Sequence, residues 1–229
     1  MSLEIYLIRH AESESNIDQD RVIGRSNWIK LTPHGIDQAR ALGDRFRKEG
    51  IVFDAIYSSP AVRARKTARH CFESSGRLLH PIELDFELQE ISQGDFEGRL
   101  CKEVYTEDVM AMLDADNWNY ALGDKIKGET PRMAAKRLRD WMEKKAEEHN
   151  DGRIFVSTHG MILKYTFADI FDLNKRTSYK IPFGNTSITM LNYENGEFTC
   201  VVKNDTSHLR EAGLSSITWK HDDPETDKK

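Results

Sequence analysis

The chain has few cysteines, and they form no metal-binding or disulfide pattern. Of its 229 residues only three are cysteine (Cys71, Cys101 and Cys200), and no two of them stand in a C-x-x-C pair. An odd number of widely spaced cysteines indicates neither a disulfide framework nor a zinc site. The simplest interpretation is three reduced thiols in a cytoplasmic protein.

Long apolar runs and an excess of basic charge are also missing. No stretch approaches the roughly 18–20 apolar residues of a spanning helix, and charged residues follow the short apolar start at once, so we expect neither a signal peptide nor membrane association. The net charge of −5 argues against a general affinity for nucleic acid, because there is no overall basic balance. The remaining composition, 38% hydrophobic and 31% charged, is typical of a soluble globular protein.

Strand-like and helix-like segments alternate along the chain. We predict strands at Leu3–Arg9, Phe53–Ser58, Pro81–Leu84, Arg153–Thr158, Ser187–Tyr193 and Phe198–Val202. We predict helices at Pro33–Gly50, Ser59–His70, Lys102–Leu113, Pro131–Glu148 and Ile162–Phe171. This alternation implies a largely parallel sheet with helices on both faces, and a hairpin turn at Asn195-Gly196 adds an antiparallel strand.

The organisation into domains follows from the same pattern. We expect residues 1–214 to form one domain, with a segment of about residues 91–130 covering the site as a cap. Residues 215–229 are polar and end in Asp222-Asp223-Pro224-Glu225-Thr226-Asp227-Lys228-Lys229. A tail of this composition is expected to be flexible.

Two predicted strands end in histidine. The apolar run of the first strand stops at Arg9-His10, and the strand that begins at Arg153 leads directly into His159-Gly160. In open α/β sheets, ligands bind in the crevice outside the carboxyl ends of the strands. Two imidazoles and a guanidinium at such ends indicate a site that handles phosphate.

Six segments together carry a resemblance to a known family. They are Leu7-Ile8-Arg9-His10-Ala11-Glu12-Ser13, Arg21-Val22-Ile23-Gly24, Leu31-Thr32-Pro33-His34-Gly35, Ser58-Ser59-Pro60-Ala61-Val62-Arg63-Ala64-Arg65-Lys66-Thr67-Ala68, Leu88-Gln89-Glu90-Ile91 and Ser157-Thr158-His159-Gly160. In this order they resemble the histidine phosphatase superfamily, which has a phosphoglycerate-mutase-like fold. The resemblance implies an α/β fold, a three-layer α/β/α sandwich around a mixed, mostly parallel six-stranded sheet.

The resemblance also implies catalytic roles. His10 would be the nucleophile, because a neutral imidazole is not repelled by a phosphate dianion and can form a covalent phosphohistidine. Arg9 and Arg63 would grip the phosphoryl oxygens with their planar forks, and His159 would donate a further hydrogen bond. Glu90 would be the general acid and base.

Further residues match the phosphate pocket of the family. Asn16, Arg21 and Gly24 match positions that extend the pocket, and the helix after Gly160 is expected to point its first amides toward the phosphate. Arg63 stands in a basic run whose default interpretation is a solvated helix face, but it lies nearest the turn at the strand end. No H-E-x-x-H motif, carboxylate cluster or Walker loop is present, so we expect neither a metal nor a cofactor.

Other features favour a phosphatase over a mutase. After Glu90 the chain continues Ile91-Ser92-Gln93-Gly94-Asp95-Phe96-Glu97-Gly98 rather than with the Arg-His-Tyr-Gly typical of the mutase branch, and 102–113 lacks the paired arginines of mutases. Ala11 replaces the glycine usual after the catalytic histidine, from which we expect only a slight backbone adjustment.

The partner and the competing functions stay open at this stage. We expect a small phosphate monoester as substrate. A phosphoglycerate mutase, a protein phosphatase and a phosphoprotein-binding variant of the same fold are the alternatives, and a homodimer is one option for the oligomeric state. Among the cap residues, the side chains that could contact a substrate or fill a small core are Tyr105, Met110, Met112, Trp118 and Tyr120. Lys125 and Lys127 could hold a second anionic group, but the default interpretation is that they face water.

Overall fold

The elements follow the predicted alternation. The computed structural model describes residues 2–77, 80–119, 128–149 and 151–216. The strands are β1 (Ser2–Arg9), β2 (Ala55–Ser58), β3 (Ile82–Leu84), β4 (Asp151–Thr158), β5 (Ile188–Glu194) and β6 (Glu197–Asp205). The helices are α1 (Glu14–Ile17), α2 (Pro33–Glu49), α3 (Val62–Ser75), α4 (Cys101–Val104), α5 (Glu107–Asp116), α6 (Pro131–His149), α7 (Gly160–Ile170) and α8 (Ser207–Glu211).

The six strands form one mixed sheet in the order β3-β2-β4-β1-β5-β6. The first four in this order are parallel, whereas β5 runs antiparallel to both β1 and β6. The hairpin turn lies at Asn195 and Gly196, which both have positive φ, 54° and 85°, as a type I′ turn requires. The predicted mixed, mostly parallel sheet is therefore confirmed.

Helices cover both faces of the sheet. Successive side chains of β1 point to opposite faces, so Ile5 and Leu7 pack with α6 and α7, whereas Tyr6 and Ile8 pack with α2 and α3. The result is the predicted three-layer α/β/α arrangement, with one apolar layer on each face of the sheet.

The start of α2 lies close to the loop after β1. Thr32 accepts a hydrogen bond from the Gly35 amide at 2.9 Å and donates one to Glu12 at 2.7 Å, which caps the helix. A Cβ on Gly35 would lie 2.0 Å from the Glu12 carbonyl oxygen, so only glycine allows this approach. The Thr-Pro-His-Gly segment thus holds the loop that follows His10.

Some element boundaries differ from the predictions. The single helix predicted over 102–113 is wrong: α4 ends before Tyr105, and α5 begins after Thr106, whose hydroxyl accepts from the Val109 amide. Such a cap starts a new helix rather than continuing the old one. α3 extends to Ser75, five residues beyond its predicted end, and α8 was not predicted.

The first residue of the tail that we expect to be flexible, Ser215, is hydrogen-bonded to α2. The Ser215 carbonyl accepts hydrogen bonds from Gln38 Nε2 at 2.7 Å and from His34 Nε2 at 3.1 Å. Residues 217–229 lie outside the described residues. The tail and the single domain over 1–214 remain predictions.

Candidate active site

The carboxyl ends of β1, β2 and β4 bring two histidines and two arginines together. The His10 amide donates to the Thr158 carbonyl at 2.9 Å, and the ring centroids of His10 and His159 lie 5.2 Å apart. All four side chains are buried, since at most 5% of Arg9, His10, Arg63 or His159 is exposed. Four polar side chains at one sheet edge form a compact, desolvated cluster.

The contacts of His10 fix its tautomer. Nδ1 lies 2.8 Å from the Ala11 carbonyl oxygen, which can only accept, so Nδ1 carries the proton and the lone pair is on Nε2. Burial lowers the pKa of His10 well below its usual value, and the charges of Arg63 and Arg9 lower it further. His10 is therefore a neutral imidazole with a lone pair on Nε2 at physiological pH.

His159 is also neutral and keeps one nitrogen for a ligand. Nε2 lies 2.8 Å from Ser59 Oγ, and Nδ1 is buried without a hydrogen-bond partner in the described part of the chain. Burial lowers the pKa of His159 well below its usual value, with Arg63 as the next contribution. If the Ser59 hydroxyl donates to Nε2, then Nδ1–H is a free donor.

Backbone carbonyls hold both arginines. Arg9 Nη1 donates to the Phe183 carbonyl at 2.6 Å, and a Cβ on Gly160 would lie 3.2 Å from Arg9 Nε, so glycine lets the guanidinium lie against the start of α7. Arg63 donates to the carbonyls of Ser26 at 2.6 Å and Gly24 at 3.3 Å. Its Nε is buried without a partner among the described residues.

The charge of Arg63 persists despite its burial. Burial lowers the pKa of Arg63 to about 10, against the opposing charges of Glu90 and Glu97. A guanidinium with this pKa is protonated at neutral pH. Together with Arg9 it gives the cluster two positive charges, which favour an anion.

Glu90 caps the helix that was expected to receive phosphate. Oε1 accepts from the amides of Ile162 at 2.8 Å and Ile91 at 3.0 Å, and Oε2 accepts from the Met161 amide at 3.0 Å. The expectation that the first amides of α7 point to phosphate is thus corrected for Met161 and Ile162, because a carboxylate already occupies them. This position suits Glu90, since a helix N-terminus favours negative charge.

The other predicted pocket residues have different environments. Asn16 is buried, and its Oδ1 accepts from the Ser13 amide at 3.0 Å. Gly24 has φ 46°, and its carbonyl supports Arg63. Arg21 is exposed and donates to the Gly98 carbonyl at 2.7 Å.

Sequence reasoning missed the loop before β5. Asn185 Nδ2 donates to the His10 carbonyl at 3.0 Å, and the Thr186 amide donates to the Arg9 carbonyl at 3.0 Å. Thr186 has φ 54°, which is rare for a β-branched residue and indicates local strain. The only signal in the sequence was a run of polar residues before β5. Such a run does not show that the loop contacts the end of β1.

Thr67 was also missed, although it lies within a recognised segment. Its hydroxyl accepts from the Ala11 amide at 2.9 Å and donates to the Arg63 carbonyl at 2.7 Å. Ala11 is fully buried without positive φ, so alanine fits this position. One hydroxyl therefore joins the backbone after His10 to the helix that carries Arg63.

Aromatic side chains lie on the Glu90 side of the cluster. Tyr105 leaves 36% of its surface exposed, and the burial of the rest raises the pKa of its hydroxyl to about 12. Burial, followed by the charge of Glu90, raises the pKa of Tyr165, and the rings of Tyr165 and Trp118 lie 6.1 Å apart. Met110 and Met112 are exposed. Tyr120, Lys125 and Lys127 lie outside the described residues.

The described residues contain neither a candidate metal site nor a membrane-spanning helix. Across residues 2–77, 80–119, 128–149 and 151–216, no group of three or more His, Cys, Asp or Glu side chains is placed to hold a metal ion. Within the same part of the chain, no helix has the length and apolar character needed to cross a membrane.

Comparisons with known proteins identify a family and several relatives. Residues 5–206 match the family profile described as histidine phosphatase superfamily (branch 1). A putative phosphoserine phosphatase 2 from Hydrogenobacter thermophilus is 31% identical over 90% of this chain and 98% of its own. A probable phosphoglycerate mutase GpmB from Erwinia tasmaniensis is 26% identical over 94% of this chain and 99% of its own.

A solved structure also resembles the chain. It is a phosphoserine phosphatase variant from Entamoeba histolytica in complex with phosphoserine, with a TM-score of 0.75 and 25% identity over 90% of this chain and 99% of that one. The relatives include phosphatases, which fits a phosphoric monoester hydrolase that acts on phosphorylated small molecules. The family match spans most of the sequence and includes every residue of the histidine and arginine cluster, so the chain belongs to the histidine phosphatase superfamily.

Proposed function

We propose that this protein is a metal-independent phosphatase that hydrolyses small phosphate monoesters through a phosphohistidine on His10. The observation that carries the proposal is the state of His10. It is a buried, neutral imidazole whose Nδ1 is bound to the Ala11 carbonyl, so the Nε2 lone pair is available beside two guanidinium groups. A nucleophile of this kind splits one difficult hydrolysis into two easier transfers.

In the first transfer, His10 Nε2 attacks phosphorus as the bond to the leaving oxygen breaks. Charge spreads over the phosphoryl oxygens, and donors fixed in advance stabilise it. Arg63 Nε and His159 Nδ1 are two such donors, since both are buried without a partner in the described structure. Arg9 and Asn16 complete the proposed phosphate pocket, with Arg21 at its exposed margin.

The leaving oxygen takes a proton from Glu90. Oε1 has two amide partners, whereas Oε2 has one, so Oε2 keeps a lone pair for the proton while the side chain stays anchored.

In the second transfer, water attacks the phosphohistidine. The Glu90 carboxylate accepts a proton from the water, the P–N bond breaks, and inorganic phosphate leaves with His10 neutral again. The same carboxyl group thus serves as acid and then as base.

The test measures phosphate release from phosphoserine, 3-phosphoglycerate and p-nitrophenyl phosphate in EDTA. The wild type is expected to release phosphate, and His10→Ala is expected to lose at least about 10⁴-fold in kcat, because loss of a nucleophile removes the covalent route. Phosphoserine heads the panel because two relatives carry its name. Turnover by His10→Ala at the wild-type rate would refute the proposal.

A mutase is the second candidate, favoured by the similarity to a probable phosphoglycerate mutase. It predicts interconversion of phosphoglycerates that a bisphosphorylated primer stimulates. Phosphate release without such stimulation favours the phosphatase.

A further inference from the structure

Three charged side chains that the proposed reaction does not use form a network beside Glu90. We call Arg25, Glu129 and Arg137 the Glu129 bridge. Arg137 grips both carboxylate oxygens of Glu129, at 3.0 Å from Nε to Oε1 and 2.9 Å from Nη2 to Oε2. Arg25 Nη2 lies 2.9 Å from the same Oε2. The side chains of Glu129 and Arg137 are only 14% and 12% exposed, so water screens this pair weakly.

The two arginines of the bridge converge on the backbone at Glu90. Arg25 Nε donates to the Glu90 carbonyl at 3.1 Å, and Arg137 Nη2 donates to the same oxygen at 3.4 Å. Arg137 Nη1 also donates to the carbonyls of Gln89, at 3.1 Å, and Glu87. The peptide units on both sides of the Glu90 Cα are therefore fixed by guanidinium groups.

Glu129 itself binds the other side of this turn. Its Oε2 accepts from the Ser92 amide at 3.0 Å, and its own amide donates to the Ser92 carbonyl at 2.8 Å. Glu129 therefore ties the chain that follows Glu90 to the chain that leads into α6. Arg25 extends the tie to a third segment, because the residues on either side of it hold Arg63 through their carbonyls.

The negative charge of Glu129 is what allows this arrangement. Burial acts to raise the pKa of Glu129, but the hydrogen bonds and charges of Arg137, the Ser92 amide and Arg25 outweigh it, and the pKa lies below its usual value. Without this charge, two guanidinium groups would face the same carbonyl with no carboxylate between them, and like charges repel.

We infer that Glu129 is a positioning residue: it holds Arg25 and Arg137 on the backbone of Glu90 and so fixes where the Glu90 carboxyl meets the leaving oxygen. This inference rests on the proposed acid role of Glu90. The base role of Glu90 in the second transfer is common to all substrates. The first transfer is what kcat/KM reports, and there a misplaced acid matters only when the leaving oxygen needs a proton. Loss of Glu129 is therefore expected to affect poor leaving groups selectively.

The experiment compares phosphoserine, an alkyl phosphate, with p-nitrophenyl phosphate, whose leaving group needs no proton. Glu129→Gln keeps the size of the side chain and removes its charge. We expect kcat/KM for phosphoserine to fall about 10- to 100-fold, as for other small displacements of catalytic groups, with p-nitrophenyl phosphate nearly unchanged. A steeper dependence of rate on leaving-group pKa is a signature that a loss of stability alone does not produce.

Arg139→Met is the matched control. Arg139 lies on the same helix two residues beyond Arg137 and pairs with Asp169 and Glu143. Its removal breaks a comparable ion pair without touching the Glu90 turn, so both substrates are expected to keep their wild-type ratio. Arg137→Lys, which keeps the charge and loses the fork, replaces Glu129→Gln if that variant does not fold, and thermal unfolding identifies that case.

Glu90→Gln, measured beside these variants, separates the two claims. Selective loss in both Glu90→Gln and Glu129→Gln, with none in Arg139→Met, supports the inference. Selective loss in Glu90→Gln alone overturns it and leaves the proposed function standing. Equal loss on both substrates in Glu90→Gln removes the acid role, and the inference falls with it.

Discussion

The phosphate side and the leaving-group side of the candidate site are built in different ways. On the phosphate side, Arg9, His10 and His159 follow or end two neighbouring parallel strands, and Arg63 starts from the turn after a third. Their side chains are at most 5% exposed. On the leaving-group side, Glu90 and Tyr105 lie in irregular segments and are partly exposed.

This difference matches what each side must recognise. The phosphoryl group is the same in every monoester, and groups on strands and helices are held more precisely than groups on loops. The leaving group varies between substrates, and loops are where such variation is tolerated. In the proposed mechanism the histidines and arginines at the sheet edge bind and transfer the phosphoryl group. The Glu129 bridge fixes the position of Glu90, although Glu90 lies in a loop.

The largest expected loss of activity that distinguishes the two sides comes from a substitution on the phosphate side. Arg63→Met removes a donor that serves every substrate, so kcat/KM is expected to fall about 10²- to 10³-fold, as for other preorganised charge-stabilising donors. The fall should be equal for phosphoserine and p-nitrophenyl phosphate, unlike the selective loss in Glu129→Gln. Steady-state kinetics on both substrates measure the two losses.

Arg69→Met is the control for this prediction. Arg69 lies on the same helix and forms an exposed pair with Glu73, which contributes little. Activity at the wild-type level is expected. A selective loss in Arg63→Met would mean that the two sides are not separate.

Acid is expected to weaken the phosphate side before the Glu129 bridge. The pKa values of buried His10 and His159 lie below their usual 6.5, so the unfolded state binds more protons as pH falls below 6.5. Each histidine then lowers the free energy of unfolding by up to about 1.4 kcal/mol per pH unit. The pKa of Glu129 is depressed, so its stabilisation is lost only when pH falls below the usual glutamate range.

Denaturant unfolding between pH 8 and about pH 3 checks these two windows. The free energy of unfolding changes with pH between pH 6.5 and pH 5. His159→Gln should reduce this dependence by the contribution of one histidine, up to about 1.4 kcal/mol per pH unit. His80→Gln, which changes an exposed side chain, should leave it unchanged. An unaltered slope in His159→Gln would contradict the neutral, buried state of that ring.

The smallest expected effect concerns the hydroxyl that joins the two parts of the phosphate side. Thr67→Val keeps the shape of the side chain and leaves the buried Ala11 amide without its partner. The cost is about 1–3 kcal/mol in the free energy of unfolding, measured by denaturant unfolding. Thr67→Ser restores the hydroxyl and should recover most of the loss; a Val variant as stable as the wild type would show that this contact does not matter.

The phosphate side could be predicted from the sequence because its residues adjoin regular elements. Arg9, His10 and His159 stand directly after apolar runs, and Arg63 was preferred over its basic neighbours for its place near a turn. The structure brings these four together. Their catalytic roles remain proposals.

The leaving-group side could not be predicted in the same way, because its contacts join distant segments. The α7 amides were expected to bind phosphate, and nothing local shows that a carboxylate 71 and 72 positions away along the chain occupies two of them. In the sequence, Glu129 and Arg137 resemble ordinary surface charges near the start of a helix. Only the structure shows their contacts with the backbone around Glu90. Likewise, the break between α4 and α5 depends on one threonine cap that a broad helical pattern conceals.

The most direct test of the account is to trap the phosphoenzyme. The wild type is mixed with substrate, quenched in alkali, which preserves phosphohistidine, and digested with trypsin. We expect one phosphoryl group on the peptide from His10 to Arg21 and none in His10→Ala. A phosphoryl group on the peptide from Ile154 to Lys164, which carries His159, or turnover with no phosphoenzyme at any time, would contradict it.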